Sequence, residues 1–240
     1  MNLLAFDTST ETMSIAVQRS GVAKPWLHDG AGGAQASAQL IPSIESLMRQ
    51  AQLALTQLDA IVFGAGPGSF TGLRSACAVA QGLAFGANVP VLPVNTLLAV
   101  AEAARLHYPE AQEVCVTALL DARMDELYMA RFAYAQGGWR ALEAACLIKP
   151  EQCLPNPSAA HGLHLLAGNV FDNYGARLAD QGSPRIAALP MAAALLRLAP
   201  RLLAGGGAVC ASAALPLYVR DKVAQTTQER MAIQSAKGAP

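Results

Sequence analysis

No stretch constrains this chain more than Gly64-Ala65-Gly66-Pro67-Gly68-Ser69-Phe70-Thr71-Gly72-Leu73-Arg74. The apolar run Ala60-Ile61-Val62-Phe63 leads into it, and a small-residue segment from Ser75 to Ala87 leaves it. That order predicts a strand, a glycine loop and a helix. Gly64, Gly66 and Gly68 are free to take positive φ and leave the backbone uncovered, and Pro67 stiffens one turn position. Ser69 or Thr71 can cap the helix. Free backbone N–H groups at a helix start suit an anion or a carboxylate. The two common nucleotide loops fail on residue identity. No lysine follows Gly72, as a P-loop requires, and Thr71 stands where a dinucleotide fingerprint needs a third glycine or alanine. The loop therefore reads either as an anion site of another kind or as a tight structural turn.

At 240 residues the chain has room for one large domain or two small ones. Seventeen basic residues balance seventeen acidic ones, and only 14% of residues are charged. Such a balance argues against broad nucleic-acid binding by this chain alone, so RNA, where involved, is expected to be held by a partner. Residues 75–101 carry no charge, but Gln81, Gly82, Gly86, Asn88, Pro90, Pro93 and Asn95 break the run, so no membrane span is expected. Met1 to Leu4 lack the basic flank and apolar region of a signal peptide. Five cysteines (77, 115, 146, 153, 210) form no CxxC pair. They read as reduced thiols of a cytoplasmic protein, mostly packed as small apolar residues.

Leu3-Leu4-Ala5-Phe6, ending in Asp7-Thr8-Ser9-Thr10, and Ser14 to Gln18 read as two strands of a hairpin, with a third near Trp26-Leu27. A helix is expected from Ser37 to Leu55, where Leu40, Ile44, Leu47, Met48, Ala51 and Leu55 form one apolar stripe. Pro42 should mark its first turns or a kink. Part of this stripe must pack on its own sheet, and its breadth also makes it a candidate partner surface. A second helix spans Thr71 to Ala87, with Ala76, Ala80 and Ala84 permitting close helix approach. Val91-Leu92 is a short strand and Thr96 to Leu106 a helix, with a domain boundary near residue 100. The pattern then restarts. Val114 to Leu120 is a strand ending in Asp121, followed by a hairpin of Leu127–Tyr134 and Trp139–Leu147 around Gly137-Gly138. Lys149 to Pro157 is linker-like, Leu165 to Asn169 is a strand into a glycine turn, Met191 to Leu203 is a helix, and the chain is polar from Gln225. Asp7 reads as an Asx-type turn bonding nearby backbone, and Asp121 as a turn residue paired with Arg123. His28, His107, His161 and His164 are scattered, read as surface residues, and make no metal site.

GPGSFTGLR after a buried strand resembles the signature of the TsaB (YeaZ) family. LDARMDELY resembles that family's DAR-x-x-E-x-Y segment, and Pro216 to Arg220 its closing P-x-Y-L-R. Asp7-Thr8-Ser9 at a first strand end resembles the first phosphate loop of the actin, hexokinase and Hsp70 superfamily, where the aspartate sits near a metal-bound phosphate and the hydroxyls face phosphate oxygens. By the same resemblance Asp121 would be a second carboxylate facing the cleft, the two able to hold a hydrated Mg²⁺. The resemblance implies an α/β fold of two actin-like (ASKHA, RNase H-like) lobes of mixed sheet with flanking helices. They would span residues 1–100 and 101–223, with a flexible tail at 224–240. It implies a non-catalytic partner of the TsaD enzyme. That complex transfers threonylcarbamoyl from threonylcarbamoyl-AMP to N6 of the adenosine 3′ to the anticodon, in tRNAs reading codons that begin with A. TsaD would dock on the two N-terminal helices through Leu40, Ile44, Leu47, Met48, Ala51, Arg74, Ala76 and Ala80. Alone, the chain would pair with itself. The ATPase TsaE would join the TsaB–TsaD complex, and tRNA would be reached only through it. No cofactor is required of this chain, with ATP or ADP and Mg²⁺ placed at the complex junction. A degenerate phosphate cleft would comprise Asp7, Thr8, Ser9, Gly66, Gly68, Ser69 and Asp121, with no catalytic residue.

Two departures stand out. Gly33 to Leu40 contains no counterpart of the His-x-x-x-His of TsaD-like enzymes, and Ala36 replaces a histidine many TsaB-like chains keep. Asn169-Val170 departs both from the Gly-Asp-Gly that TsaB-like chains often have here and from the glycine-rich adenosine motif of actin-like kinases. A second reading is an actin-like ATPase or kinase acting alone through Asp7, Asp121 and residues 66–72. A peptidase lacks both a Ser-His-Asp set and a zinc motif.

Overall fold

The computed structural model describes residues 1–154, 162–179 and 182–220. His161, Pro157 and the polar tail lie outside these. The elements run β1 (Leu3–Asp7), β2 (Thr12–Gln18), β3 (Trp26–Ala31), α1 (Ala34–Gln50), β4 (Ala60–Gly66), α2 (Phe70–Ala87), β5 (Val91–Asn95) and α3 (Thr96–Arg105). There follow β6 (Val114–Asp121), β7 (Leu127–Ala135), β8 (Gly138–Ile148), β9 (Leu163–Gly168), α4 (Phe171–Tyr174), β10 (Arg185–Ala187) and α5 (Ala192–Ala204). Two five-stranded sheets result, ordered β3-β2-β1-β4-β5 and β10-β9-β6-β7-β8. In the first, β1 is antiparallel to β2 and parallel to β4. In the second, β6 is antiparallel to β7 and parallel to β9. The same plan is built twice, as two α/β lobes of the actin-like type.

Strand periodicity explains the layering. Leu4 and Phe6 of β1 face a core completed by α1 and α2, while Leu3 and Ala5 face α5. A strand covered on both faces reads as a continuous apolar run, which is why Leu3 to Phe6 shows no alternation. On α3, Leu97, Val100, Ala101 and Ala104 pack on Val116, Ala118 and Leu120 of β6, while Ala99 turns to the first sheet. Helix α5, from the second half of the chain, lies under β1, β2, β4 and β5. The lobes therefore share two helices. Among the described residues no helix is long and apolar enough to cross a membrane. Cys77 and Cys153 are buried, and Cys210 is exposed.

Several expected boundaries move. Helix α1 starts at Ala34, after Gly33 at φ 62°, and ends at Gln50. Gln52 at φ 53° breaks the chain away, so Leu55 begins a short 3₁₀ turn instead of ending α1. The early start puts Pro42 inside the helix, past its first turns. Strand β5 runs through Pro93 to Asn95, whose side chain caps α3.

Candidate functional site: the cleft between the lobes

A cleft of about 520 Å³ opens between the lobes. Ser9, Gly68, Ser69 and Thr71 line one wall and Asp121, Arg123 and Asn169 the other, and Tyr218 and Arg220 line it as well. On the first wall, Asp7 is 1% exposed. Its Oδ1 accepts from Ser9 N (2.8 Å) and Ser9 Oγ (2.7 Å), while Oδ2 has no hydrogen-bond partner. Gly64 seals it, since a Cβ there would sit 1.7 Å from Oδ2. Burial pushes the Asp7 carboxyl up to about 7, against the lowering effect of the two Ser9 bonds.

The glycine loop is zipped to this strand end. Ser69 N donates to Ser9 O (2.7 Å), and Thr8 Oγ1 donates to Gly72 O (2.8 Å). A Cβ at Gly72 would lie 1.9 Å from Thr8 O. Of Gly64, Gly66 and Gly68, only Gly66 takes positive φ, at 120°; the other two serve by lacking a side chain. Ser69 caps α2, its Oγ accepting from Gly72 N (3.4 Å). The Gly66–Pro67 bond is cis, and the Pro67 carbonyl accepts from Thr96 Oγ1. Asp7, Thr8 and Gly66 thus stand behind the wall. The hydroxyls expected to face a phosphate are spent inside the protein. This first loop does not fit a metal-bound phosphate.

On the second wall Asp121 follows the turn reading. Its Oδ1 accepts from Arg123 N (2.7 Å), and its Oδ2 pairs with Arg123 Nη1 (3.3 Å). The side-chain oxygen of Asn169 accepts from Asp121 N (3.0 Å). Arg123, Met124 and Asp125 then take positive φ in succession, at 61°, 56° and 64°. Non-glycine residues pay roughly 1 kcal/mol or more each for that conformation. Ala122 N bonds Glu126 O (3.0 Å) across the turn, Arg177 pairs with Asp125, and Arg220 pairs with Glu126 (2.5 Å). No glycine or asparagine announces this turn, so sequence patterning misses it.

Two groups of candidate residues sit elsewhere. Leu40, Ile44, Leu47, Met48, Ala51, Ala76 and Ala80 are all buried in the first lobe's own core, where they fasten α1 and α2 to the sheet. Outward on these helices stand Ile41, Ala78, Gly82 and Phe85, the last 84% exposed, together with Arg74. The Arg74 guanidinium lies 3.9 Å over the Phe70 ring. His164 is half-buried in β9, not on the surface: its ring nitrogens meet Thr117 Oγ1 and Ser183 Oγ, both at 3.0 Å. Burial holds it below the usual histidine range.

Residues 32–228 match the family described as TsaD: tRNA N6-adenosine threonylcarbamoyltransferase. The chain is 30% identical to the tRNA threonylcarbamoyladenosine biosynthesis protein TsaB of Escherichia coli K12, over 93% of this chain and 96% of that one. The TsaB of Haemophilus influenzae is 33% identical, over 93% and 95%. This chain belongs to the TsaB (YeaZ) family. Among solved structures, YeaZ from Pseudomonas aeruginosa superposes with a TM-score of 0.80 at 37% identity, covering 90% of this chain and 99% of that one. The TsaB-like signature Gly66 to Arg74 is here the segment that zips the first wall shut and starts α2.

Proposed function

We propose that this chain serves tRNA threonylcarbamoyladenosine formation as a non-catalytic subunit. It docks a TsaD-type transferase on the outer face of α1 and α2 and supports transfer of threonylcarbamoyl from threonylcarbamoyl-AMP to N6 of the adenosine 3′ to the anticodon. The observation that carries this reading is the outer face itself. The two helices lie side by side, with Ser37 Oγ 3.2 Å from Ser75 Oγ. Their inward stripes are used up in the core, yet Phe85 and Ile41 stand in water. Burying a phenyl ring against a partner gains about 1.5–3 kcal/mol, and Ala78 and Gly82 let a partner helix come close. The sealed Asp7 supports a role without chemistry of its own. The independent ATPase or kinase reading needs that carboxylate to meet a metal-bound phosphate. With no net charge, the chain leaves tRNA to the transferase. TsaE joins the assembled pair, ATP or ADP and Mg²⁺ belong at the junction, and free chains pair through the same helices in the cytoplasm.

Phe85→Glu with Ala78→Glu is expected to weaken binding to the same organism's TsaD by about a hundredfold, measured by titration calorimetry, with the thermal midpoint unchanged. Full affinity in this variant would sink the proposed surface. Charges at Leu47 or Met48 would unfold the core instead and cannot test it.

A further inference from the structure

The final described residues cross from one lobe to the other. The buried Ala214 accepts from Gln81 Nε2 of α2 through its carbonyl (2.9 Å). Leu217 N then donates to Ala65 O (2.7 Å), and Leu217 O lies against Gly66, where a Cβ would meet it at 2.5 Å. Tyr218 packs on Phe70 at 5.4 Å between ring centroids, and its hydroxyl accepts from Arg74 Nε (3.0 Å). Val219 packs on the second lobe's core. Arg220 Nη2 donates to Glu126 Oε2 (2.5 Å), and Nη1 meets Met124 Sδ (3.2 Å). Within four residues the chain is bonded to the glycine loop of one wall through its backbone at Leu217 and to the left-handed turn of the other through the Arg220 side chain. Leu217 to Arg220 also line the cleft.

We propose that residues 215–220 are a latch that holds the two cleft walls at their present spacing, so that the walls part only when it lets go. Both loops it grips are conformationally expensive alone. The left-handed turn spends three non-glycine residues at positive φ, and Arg220 is one of the few groups tying that turn down. The glycine loop turns at Gly66, whose bare face is covered by Leu217. The grip is also of a kind that releases. Leu217 is 41% and Tyr218 43% exposed, and the grip consists of a backbone bond to Ala65, a hydroxyl bond from Arg74 and the partly exposed Arg220–Glu126 pair, each modest in net effect. Segments held this way open well below the free energy of global unfolding. Another tie at the lobe junction, Glu102 of α3 with Trp139 and Arg197, does not line the cleft and stays closed when the latch opens.

The test is hydrogen exchange by mass spectrometry on the full chain, comparing wild type, Tyr218→Phe, and Tyr218→Ala with Arg220→Ala. The double variant is expected to speed exchange about tenfold across residues 64–72 and 122–128, with α3 and β6 unchanged. Tyr218→Phe removes only the bond from Arg74 and is expected to give a smaller rise in the same two stretches. A rise confined to 215–220 would overturn the proposal. So would general loss of protection in the double variant with Tyr218→Phe silent, because the segment would then be part of the fold and not a latch.

Discussion

Glu102→Ala is expected to lower the unfolding free energy by about 3 kcal/mol, the low end for breaking a buried ion pair. Glu102 sits on α3, the helix held between the two sheets, and its side chain is only 4% exposed. Oε1 accepts from Arg105 Nη2 and Arg197 Nε, both at 3.0 Å. Oε2 accepts from Arg105 Nε (3.1 Å) and Trp139 Nε1 (2.9 Å). One carboxylate thereby joins α3, α5 and β8. Alanine leaves Arg105 and the indole N–H without their acceptor. Arg197, 37% exposed, can return to water, which keeps the loss at the low end. Burial alone would raise the Glu102 carboxyl, but its arginine and tryptophan donors outweigh that and hold it below the usual glutamate range. Its contribution is therefore complete above the unfolded-state value and is lost as pH falls through the lower folded-state value. Denaturant unfolding near neutral pH is the measurement. A loss under about 1 kcal/mol would mean the network is ornamental. Glu102→Gln should recover little, since an amide N–H₂ would face donors.

Local signals in the sequence carry the elements but not their facing. The β1–β2 hairpin, the β4–loop–α2 unit and their echo in β6–β8 follow from apolar runs, turn residues and the restart at Val114. The Leu40-to-Ala51 stripe has a helical period, yet period identifies a face without saying what covers it. Here the first sheet takes all of it, and the surface left over is the small-residue face around Ala78 and Phe85. Asp7-Thr8-Ser9 reads equally as a turn or a phosphate loop, because the deciding contacts come from Gly64 and Gly72, more than fifty positions away. At Asp121 the turn contact is open to a sequence reading because its partner, Arg123, is local. The Glu102 network joins residues 37 and 95 positions apart, and no local pattern encodes that. The left-handed turn at 123–125 is invisible for a related reason. Its residues are poor choices for that backbone, held there by Arg177 and Arg220 from remote segments.

The buried Asp7 predicts an opposite pH dependence. Its carboxyl stands at about 7 in the folded protein, against roughly 3.9 in an unfolded chain. Between these values the folded state holds the proton and the unfolded state does not. Stability is therefore fully present below about pH 4, falls as pH rises, and levels off above about 7. The full drop is about 4 kcal/mol at 1.36 kcal/mol per unit. Asp7→Asn cannot ionise and should flatten this slope. At pH 8 it is expected to be more stable than wild type, by that amount less about 1–3 kcal/mol for an amide left without an acceptor beside Gly64. His164, held below its usual range, works with the opposite sign, since its contribution is present above about 6.5 and lost as pH falls. The wild-type and Asp7→Asn curves must therefore be subtracted, which cancels His164 and Glu102 together. Chemical denaturation from pH 4 to 8 gives the difference directly. Parallel curves would mean that Asp7 stays ionised behind Gly64, with an acceptor site open to solvent or to a cation. The first wall would then be unsealed, and the case for a chain without nucleotide chemistry would lose its main physical support.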